Sequence, residues 1–226
     1  MKILIGCEES QEVCKAFRAK GHEAYSCDLL PCSGGHPEWH IKGDIFKAMR
    51  GGILGTQAGT FFSLDNWDKI ITFQPCTDLA VSGAAWFSKK RQSGEQEKSI
   101  RFFFETWKLS NCNENPVGII NGGNYIKKWF PLLWQEMKDY GFPFKPSQII
   151  EPYYFGDKAN KKTCLWLRDL PELKHDPAKY STGSEYIESP SGRRYPEWCW
   201  NTGAGSGKLR SKTYPGIAAA MADQWG

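Results

Sequence analysis

The sequence predicts an α/β protein with a Rossmann-like, mostly parallel sheet, and three observations lead there. First, residues 2–7 are a short apolar run that includes Gly6, and residues 9–20 repeat Val13, Ala16 and Phe17 at helical spacing. Residues 23–27 then form a second strand ending in Asp28. That order is a βαβ start with an acid roughly twenty residues past the first turn. Second, residues 67–73 read as a buried strand, with Gln74-Pro75-Cys76 just beyond its C-terminal end. In open α/β sheets ligands bind at that edge. Third, residues 148–150 and 163–167 are two further strands joined through Phe155-Gly156-Asp157, which predicts a hairpin-like return and an antiparallel terminal strand.

The remaining elements follow in order. Gly21 stops the first helix. Residues 95–109 form a helix that leads through the polar stretch 110–113 to Glu114-Asn115-Pro116, where a strand is due by position although its apolar content is low. Residues 125–140 place Trp129, Phe130, Leu133, Trp134 and Met137 on one helical stripe expected to cover the sheet, with Pro131 near the helix start. Residues 181–213, rich in Ser, Gly, Pro, Arg and Lys, read as a mobile loop or small subdomain. A helix over 215–225, with Pro215 in its first turn, closes the chain. At 226 residues, with no internal repeat, the chain fits one domain spanning 1–226.

Composition bounds the partners. The ten Trp, nine Tyr and thirteen Phe serve core packing and, in places, base stacking. A formal charge of +4 and a pI near 8.5 are compatible with a polyanionic partner, though dedicated DNA binders are usually more basic. The basic clusters Lys89-Lys90-Arg91 and Lys208, Arg210, Lys212 read equally well as solvated faces. The N-terminus enters a strand pattern at once, so no leader is expected and the eight Cys are expected reduced, in a cytoplasm. No apolar run approaches a membrane span, and no membrane partner is expected. Cys27, Cys32, His36 and His40 have a zinc-like order, but the intervening loops are too short and no metal is expected. Residues 202–209 approach a phosphate-binding loop, yet Thr202 stands for its first Gly and Leu209 for its Ser or Thr, which leaves a flexible loop.

Most cysteines are small buried hydrophobes. Cys76 is set apart by its surroundings: Pro75 before it, Thr77 after it, then Ser82-Gly83, then Glu114-Asn115-Pro116. Here the sequence resembles the DNA cytosine-C5 methyltransferases. That family's Pro-Cys-Gln motif, followed at fixed distance by a small residue and Gly, is similar to Pro75-Cys76-Thr77 and Ser82-Gly83, with Thr77 replacing the Gln. Its Glu-Asn-Val resembles Glu114-Asn115-Pro116, and its Gly-Asp-Ile matches Gly43-Asp44-Ile45. Tyr154-Phe155-Gly156, followed by Lys161-Lys162-Thr163, looks like the family's Tyr-Gly hairpin with its basic strand start. Cys7-Glu8-Glu9-Ser10, residues 36–40, residues 79–83 and residues 210–217 resemble a compact, largely phage-borne branch, so the likeness covers nearly the whole chain. There are two departures. Gly6-Cys7-Glu8-Glu9-Ser10 replaces a Gly-rich cofactor loop, and only about sixty residues follow the hairpin, leaving no large target-recognition domain.

The resemblance implies a class I methyltransferase fold and transfer of a methyl group from S-adenosylmethionine to cytosine C5 in DNA, in a bacterial or phage-infected cell. Cytosine C5 is too poor a nucleophile until a thiolate adds to C6. Cys76 would supply that thiolate, Glu114 would hold or protonate N3, and Asn115 would orient Glu114. By the same resemblance Gly6, Cys7, Glu8 and Pro75 would line the cofactor, Asp28 with Leu29 would take its ribose, and Asp44 and Ile45 its adenine. Thr77, Ser82, Lys161 and Lys162 would meet the substrate, the lysines receiving the sugar-phosphate of a flipped base. A solvated turn is the equal alternative for the two lysines. The missing recognition domain also allows a pyrimidine nucleotide or single-stranded nucleic acid as substrate. The altered cofactor loop allows a catalytically silent binding protein of the same fold. Oligomeric state and target sequence stay open.

Overall fold

Seven strands form the central sheet of the protein, whose computed structural model describes residues 1–200 and 211–226. Segment 202–209, Lys208 and Arg210 therefore lie outside the described residues. Along the chain run β1 (Lys2–Gly6), β2 (Glu23–Asp28), β3 (His40–Lys42), a separate hairpin of β4 (Gly52–Gly55) and β5 (Phe61–Leu64), then β6 (Lys69–Phe73), β7 (Cys112–Pro116), β8 (Gln148–Ile150) and β9 (Thr163–Leu167). The sheet order is β3-β2-β1-β6-β7-β9-β8. Pairing is parallel from β3 across to β7, while β9 runs antiparallel to both of its neighbours. The reversed strand is thus the last in the chain to join the sheet, as expected, but it lies second from the edge, with β8 outside it. The architecture is mixed α/β and compatible with the Rossmann-like expectation.

Alternating side chains serve both faces of the sheet. Ile3 and Ile5 pack with Val13 and Phe17 of α1 (Glu12–Ala19) and with Met221 and Trp225 of the C-terminal helix, Pro215–Trp225. Leu4 joins a separate cluster with Ile41, Leu54 and Ile45, the last on α2 (Ile45–Met49). A third cluster surrounds Trp166 of β9 with residues of three helices: Phe103 and Phe104 on α4 (Glu95–Leu109), Ile126 on α5 (Asn124–Trp129), and Leu133 and Met137 on α6 (Pro131–Asp139). Each such fully buried large side chain contributes about 1.5–3 kcal/mol through apolar area removed from water.

The apolar-poor β7 is a strand nevertheless, because its polar side chains find partners. Thr72 Oγ1 donates to Asn113 Oδ1 (2.8 Å), and Asn113 Nδ2 donates to the Phe103 carbonyl (3.1 Å). With β6 on one side and β9 on the other, its backbone is paired as well.

One expectation changes. The helix read over 125–140 is two helices: Phe130 leaves helical backbone (φ −137°) and Pro131 begins α6. A proline lacks the N–H that a continuous helix needs and disfavours helical backbone in the residue before it. The aromatic stripe divides with the break, so Leu133 and Met137 are buried while Trp129 is 43% exposed. Within 181–213 the described residues hold an antiparallel ribbon, β10 (Tyr186–Glu188) with β11 (Arg194–Pro196), followed by the single turn α7 (Glu197–Trp200). Among the described residues no helix is long and apolar enough to cross a membrane, and no disulfide links the described cysteines.

Candidate active site

The chain leaves β1 toward β2 and β3 on one side of the sheet, and toward β7 from β6 on the other. β1 and β6 therefore flank the switch point, the place beyond the carboxyl ends of the strands where open α/β sheets bind ligands. After β1, Cys7 and Gln11 both take positive φ (58° and 60°), so residues 7–11 turn tightly without the glycines of a Gly-rich loop. Gln11 is held from both ends of its amide: Oε1 accepts from the His36 N–H (3.1 Å), and Nε2 donates to the His36 carbonyl (2.9 Å). A side chain on Gly6 would come within 2.6 Å of Ile45 Cδ1, so Gly6 lets α2 pack against the end of β1.

Glu8 is buried, and its carboxyl oxygens accept the N–H groups of Val13 (2.6 Å) and Cys14 (3.2 Å) at the start of α1. Burial pushes its pKa up to about 8 against the pull of those two donors. The helix N-terminus, the usual cradle for a phosphate, is thereby occupied by the protein's own side chain. Asp28 accepts from the Leu30 N–H (2.9 Å) and is half-buried, with burial raising its pKa. Asp44 caps α2 by accepting from the Lys47 N–H (2.9 Å). Burial first, then Asp28, Cys27 and Asp44, push the Cys7 thiol far above its ordinary range, which places both carboxylates around the end of β1. Leu29 is 74% exposed, whereas Ile45 belongs to the core. A cavity of about 280 Å³ lies between Gly43-Asp44 and β4. The zinc-like set makes other bonds: the Cys27 thiol donates to the Gly43 carbonyl (3.6 Å), and the two His40 ring nitrogens meet Ser26 Oγ (2.8 Å) and the Leu30 carbonyl (2.9 Å).

Beyond β6, Gln74 is buried and donates to Thr72 Oγ1 (2.6 Å) and Thr106 Oγ1 (2.8 Å), and its own carbonyl accepts from Asn115 Nδ2 (3.4 Å). Asn115 therefore anchors the loop that carries Cys76. The Cys76 carbonyl accepts from Leu79 (3.0 Å) and Ala80 (2.9 Å), which closes a turn with the Cys76 side chain half-exposed. Pro75, Thr77 and Ser82 are exposed, Ser82 on the short helical turn Val81–Trp86. Lys90, on α3 (Phe87–Gln92), bonds the Thr77 carbonyl and pairs with Asp78 at 2.9 Å. Ser99 Oγ donates to the Asp78 carboxylate (2.9 Å), and Gln96 Nε2 donates to the Asp78 carbonyl (3.1 Å). The Lys89-Lys90-Arg91 cluster is thus committed in part to the fold, since Arg91 lies 4.0 Å over the Trp129 ring.

Glu114 on β7 stands opposite Phe73 of β6, three residues before Cys76. Because β9 is antiparallel, its start lies at the carboxyl edge of β7: Thr163 pairs with Pro116 and its side chain hydrogen-bonds Glu114. Burial raises the Glu114 pKa, opposed by the Lys161 charge and the Thr163 bond. A small pocket of about 20 Å³ is lined by Glu114, Lys161, Thr163, Lys212, Tyr214 and Ile217. It has room for a water and not for a pyrimidine. Lys162 is exposed whereas Lys161 lines the pocket, so the two lysines diverge.

The segments after β6 and β7 are tied to one another. Ile119 N–H donates to the Leu79 carbonyl (2.9 Å), Val81 N–H donates to the Val117 carbonyl (3.2 Å), and a Cβ on Gly118 would sit 2.3 Å from the Leu79 oxygen. Sequence reading passed over Gly118, Asp78 and Gln96, and it named Lys90 and Tyr214 without giving either a role at the site. Gly118 and Asp78 lie within four residues of the Glu-Asn and Pro-Cys motifs and were within reach of it, while Gln96 carries no signal of its own. Comparison with protein-family models and with curated protein sequences gives no match to either.

Proposed function

We propose that the chain is an S-adenosylmethionine-dependent DNA cytosine-C5 methyltransferase, with Cys76 as nucleophile and Glu114 as acid. The observation that carries this reading is the pairing of a half-exposed thiol with a half-buried acid whose pKa is raised by desolvation, at the carboxyl ends of adjacent strands, their motifs hydrogen-bonded through Leu79 and Ile119. A carboxyl group raised by burial stays protonated closer to neutrality and can donate to cytosine N3 as charge enters the ring.

The residues fit this cofactor. It bears a positive sulfonium and no phosphate, and the switch point offers Asp28 and Asp44 while Glu8 occupies the phosphate-binding end of α1. Asp28 would hold the ribose and Asp44 the adenine. When bound, the cofactor supplies the methyl group to C5. The Cys76 thiolate adds to C6, and Glu114 gives its proton to N3 as the ring electrons move toward C5. Water then takes the C5 proton, the released electron pair restores the 5,6 double bond as the C6–S bond breaks and Cys76 leaves as a thiolate, and N3 returns its proton to Glu114. Lys161, beside Glu114, tunes that acid. Entry of a base into the Glu114 pocket requires residues 211–214 to move outward, because the pocket as it stands is too small.

Mass spectrometry of nucleosides from duplex DNA, single-stranded DNA and free cytidine nucleotides, each incubated with protein and cofactor, tests the proposal. Wild type forms 5-methylcytosine in duplex DNA and Cys76→Ser forms none. Undiminished product with Cys76→Ser overturns the nucleophile, and label confined to free nucleotides overturns the DNA substrate.

A further inference from the structure

The β10–β11 ribbon stands directly on the edge that carries Glu114. At its root the Asn160 N–H donates to Ser184 Oγ (2.6 Å), and the Ser184 N–H returns a bond to Asn160 Oδ1 (2.7 Å). Gly183, at φ +77°, presses so close that a Cβ would lie 2.5 Å from that oxygen. Lys158 pairs with Glu185 at 2.9 Å. Asn160 immediately precedes Lys161, and beyond the ribbon residues 211–214 line the Glu114 pocket.

The ribbon itself adds little to the core. Tyr186 pairs with Pro196, Ile187 with Tyr195 and Glu188 with Arg194, and residues 190–194 are all exposed. Its turn is closed by Ser189 N–H to the Arg193 carbonyl (2.8 Å), by Gly192 N–H to the Ser189 carbonyl (2.8 Å), and by Arg193 N–H to Ser189 Oγ (3.0 Å). A lone two-stranded ribbon is marginal in water, so one anchored this firmly and buried this little is poorly accounted for by stability. Its tip presents Arg193 and Arg194, with the Arg194 guanidinium 5.2 Å over the Tyr186 ring, and the hydroxyls of Ser189 and Ser191. The acid at its root, Glu185, is matched by Lys158, which leaves Glu188, on β10 opposite Arg194, as the one acid within 186–196.

We infer that this ribbon is the DNA-reading element, entering the major groove of duplex DNA beside the target base in place of a separate recognition domain. The inference rests on the DNA reading proposed above. The major groove, about 12 Å wide, admits a two-stranded ribbon, arginine forks match guanine O6 and N7, and serine hydroxyls match phosphates.

Fluorescence anisotropy with a labelled duplex, recorded over a salt series without cofactor, separates the possibilities. Arg193→Ala/Arg194→Ala is expected to lose about tenfold or more in affinity and to flatten the log K against log salt slope by about one to two. Its thermal midpoint should match wild type because both side chains are exposed. Arg193→Lys/Arg194→Lys is expected to keep the salt slope and lose preference among duplex sequences, since lysine cannot make the bidentate contact. Equal affinity and slope in the alanine variant would falsify the ribbon's role and leave the DNA reading standing. A wild type that binds no duplex overturns both, and methylation of free nucleotides then identifies the DNA reading as the part at fault.

Discussion

The Glu114 pKa is set by opposed influences: burial favours its neutral form, and the Lys161 charge and the Thr163 hydrogen bond favour its carboxylate. Removing the charge while keeping the stem, as in Lys161→Met, raises the Glu114 pKa. Under the proposed mechanism the protonated form is competent, so the fall of kcat with rising pH moves to higher pH. A pH–rate profile checks this, and an unchanged or acid-shifted limb excludes Lys161 as the group that tunes Glu114. Four of the other thiols are set apart from Cys76 by burial. Burial raises Cys7, Cys14 and Cys112 far above their ordinary range, and Cys27 to about 12. Of the two lysines read together as phosphate contacts, only Lys161 reaches the pocket, a distinction set by where each side chain projects at the start of β9 and invisible in two identical adjacent letters.

The Cys76 loop and the segment after β7 behave as one unit, because Leu79 and Val81 pair with Ile119 and Val117 across Gly118. Gly118→Ala forces a methyl group to within 2.3 Å of the Leu79 carbonyl oxygen unless the backbone shifts. We expect a loss of about 1–3 kcal/mol in stability by denaturant unfolding, as for overpacked sites, together with a fall in methyl transfer. Wild-type values for both would show that the pairing of these segments is dispensable. The motifs themselves were legible as letters in order, because Pro-Cys beyond a buried strand is a rare conjunction. Their supports were not: Gln96 reaches Asp78 from eighteen positions away, and Asn115 holds the Gln74 carbonyl across a sheet pairing.

Stability as a whole should carry the imprint of Glu8. Its carboxyl has a pKa of about 8 in the folded protein against 4.5 for an ordinary glutamate, so between those limits the folded state holds a proton that the unfolded chain has released. Stability from this group therefore declines as pH rises through the window, by at most about 1.4 kcal/mol per pH unit. Glu8→Gln keeps an acceptor for the α1 N–H groups and stays neutral. It should match wild type near the acid end of the window and exceed it near pH 8 in urea midpoints. A wild-type pH slope that persists in Glu8→Gln would refute this assignment.

The sequence by itself determined the order and type of most elements, since amphipathic spacing and apolar runs are local properties: β1, α1, β2, β6, α4, β8, β9 and the C-terminal helix lie where the pattern puts them. It also placed Cys76 beyond one strand and Glu114 on another. Only the tertiary structure decided that the antiparallel β9 inserts between β7 and β8, which delivers Lys161 and Thr163 to Glu114. It likewise decided that Glu8 turns inward onto α1, and that part of the stretch read as a mobile loop or small subdomain is a ribbon rooted beside Lys161. Strand neighbours and burial arise from contacts between residues far apart in the chain, and a local pattern carries no record of them.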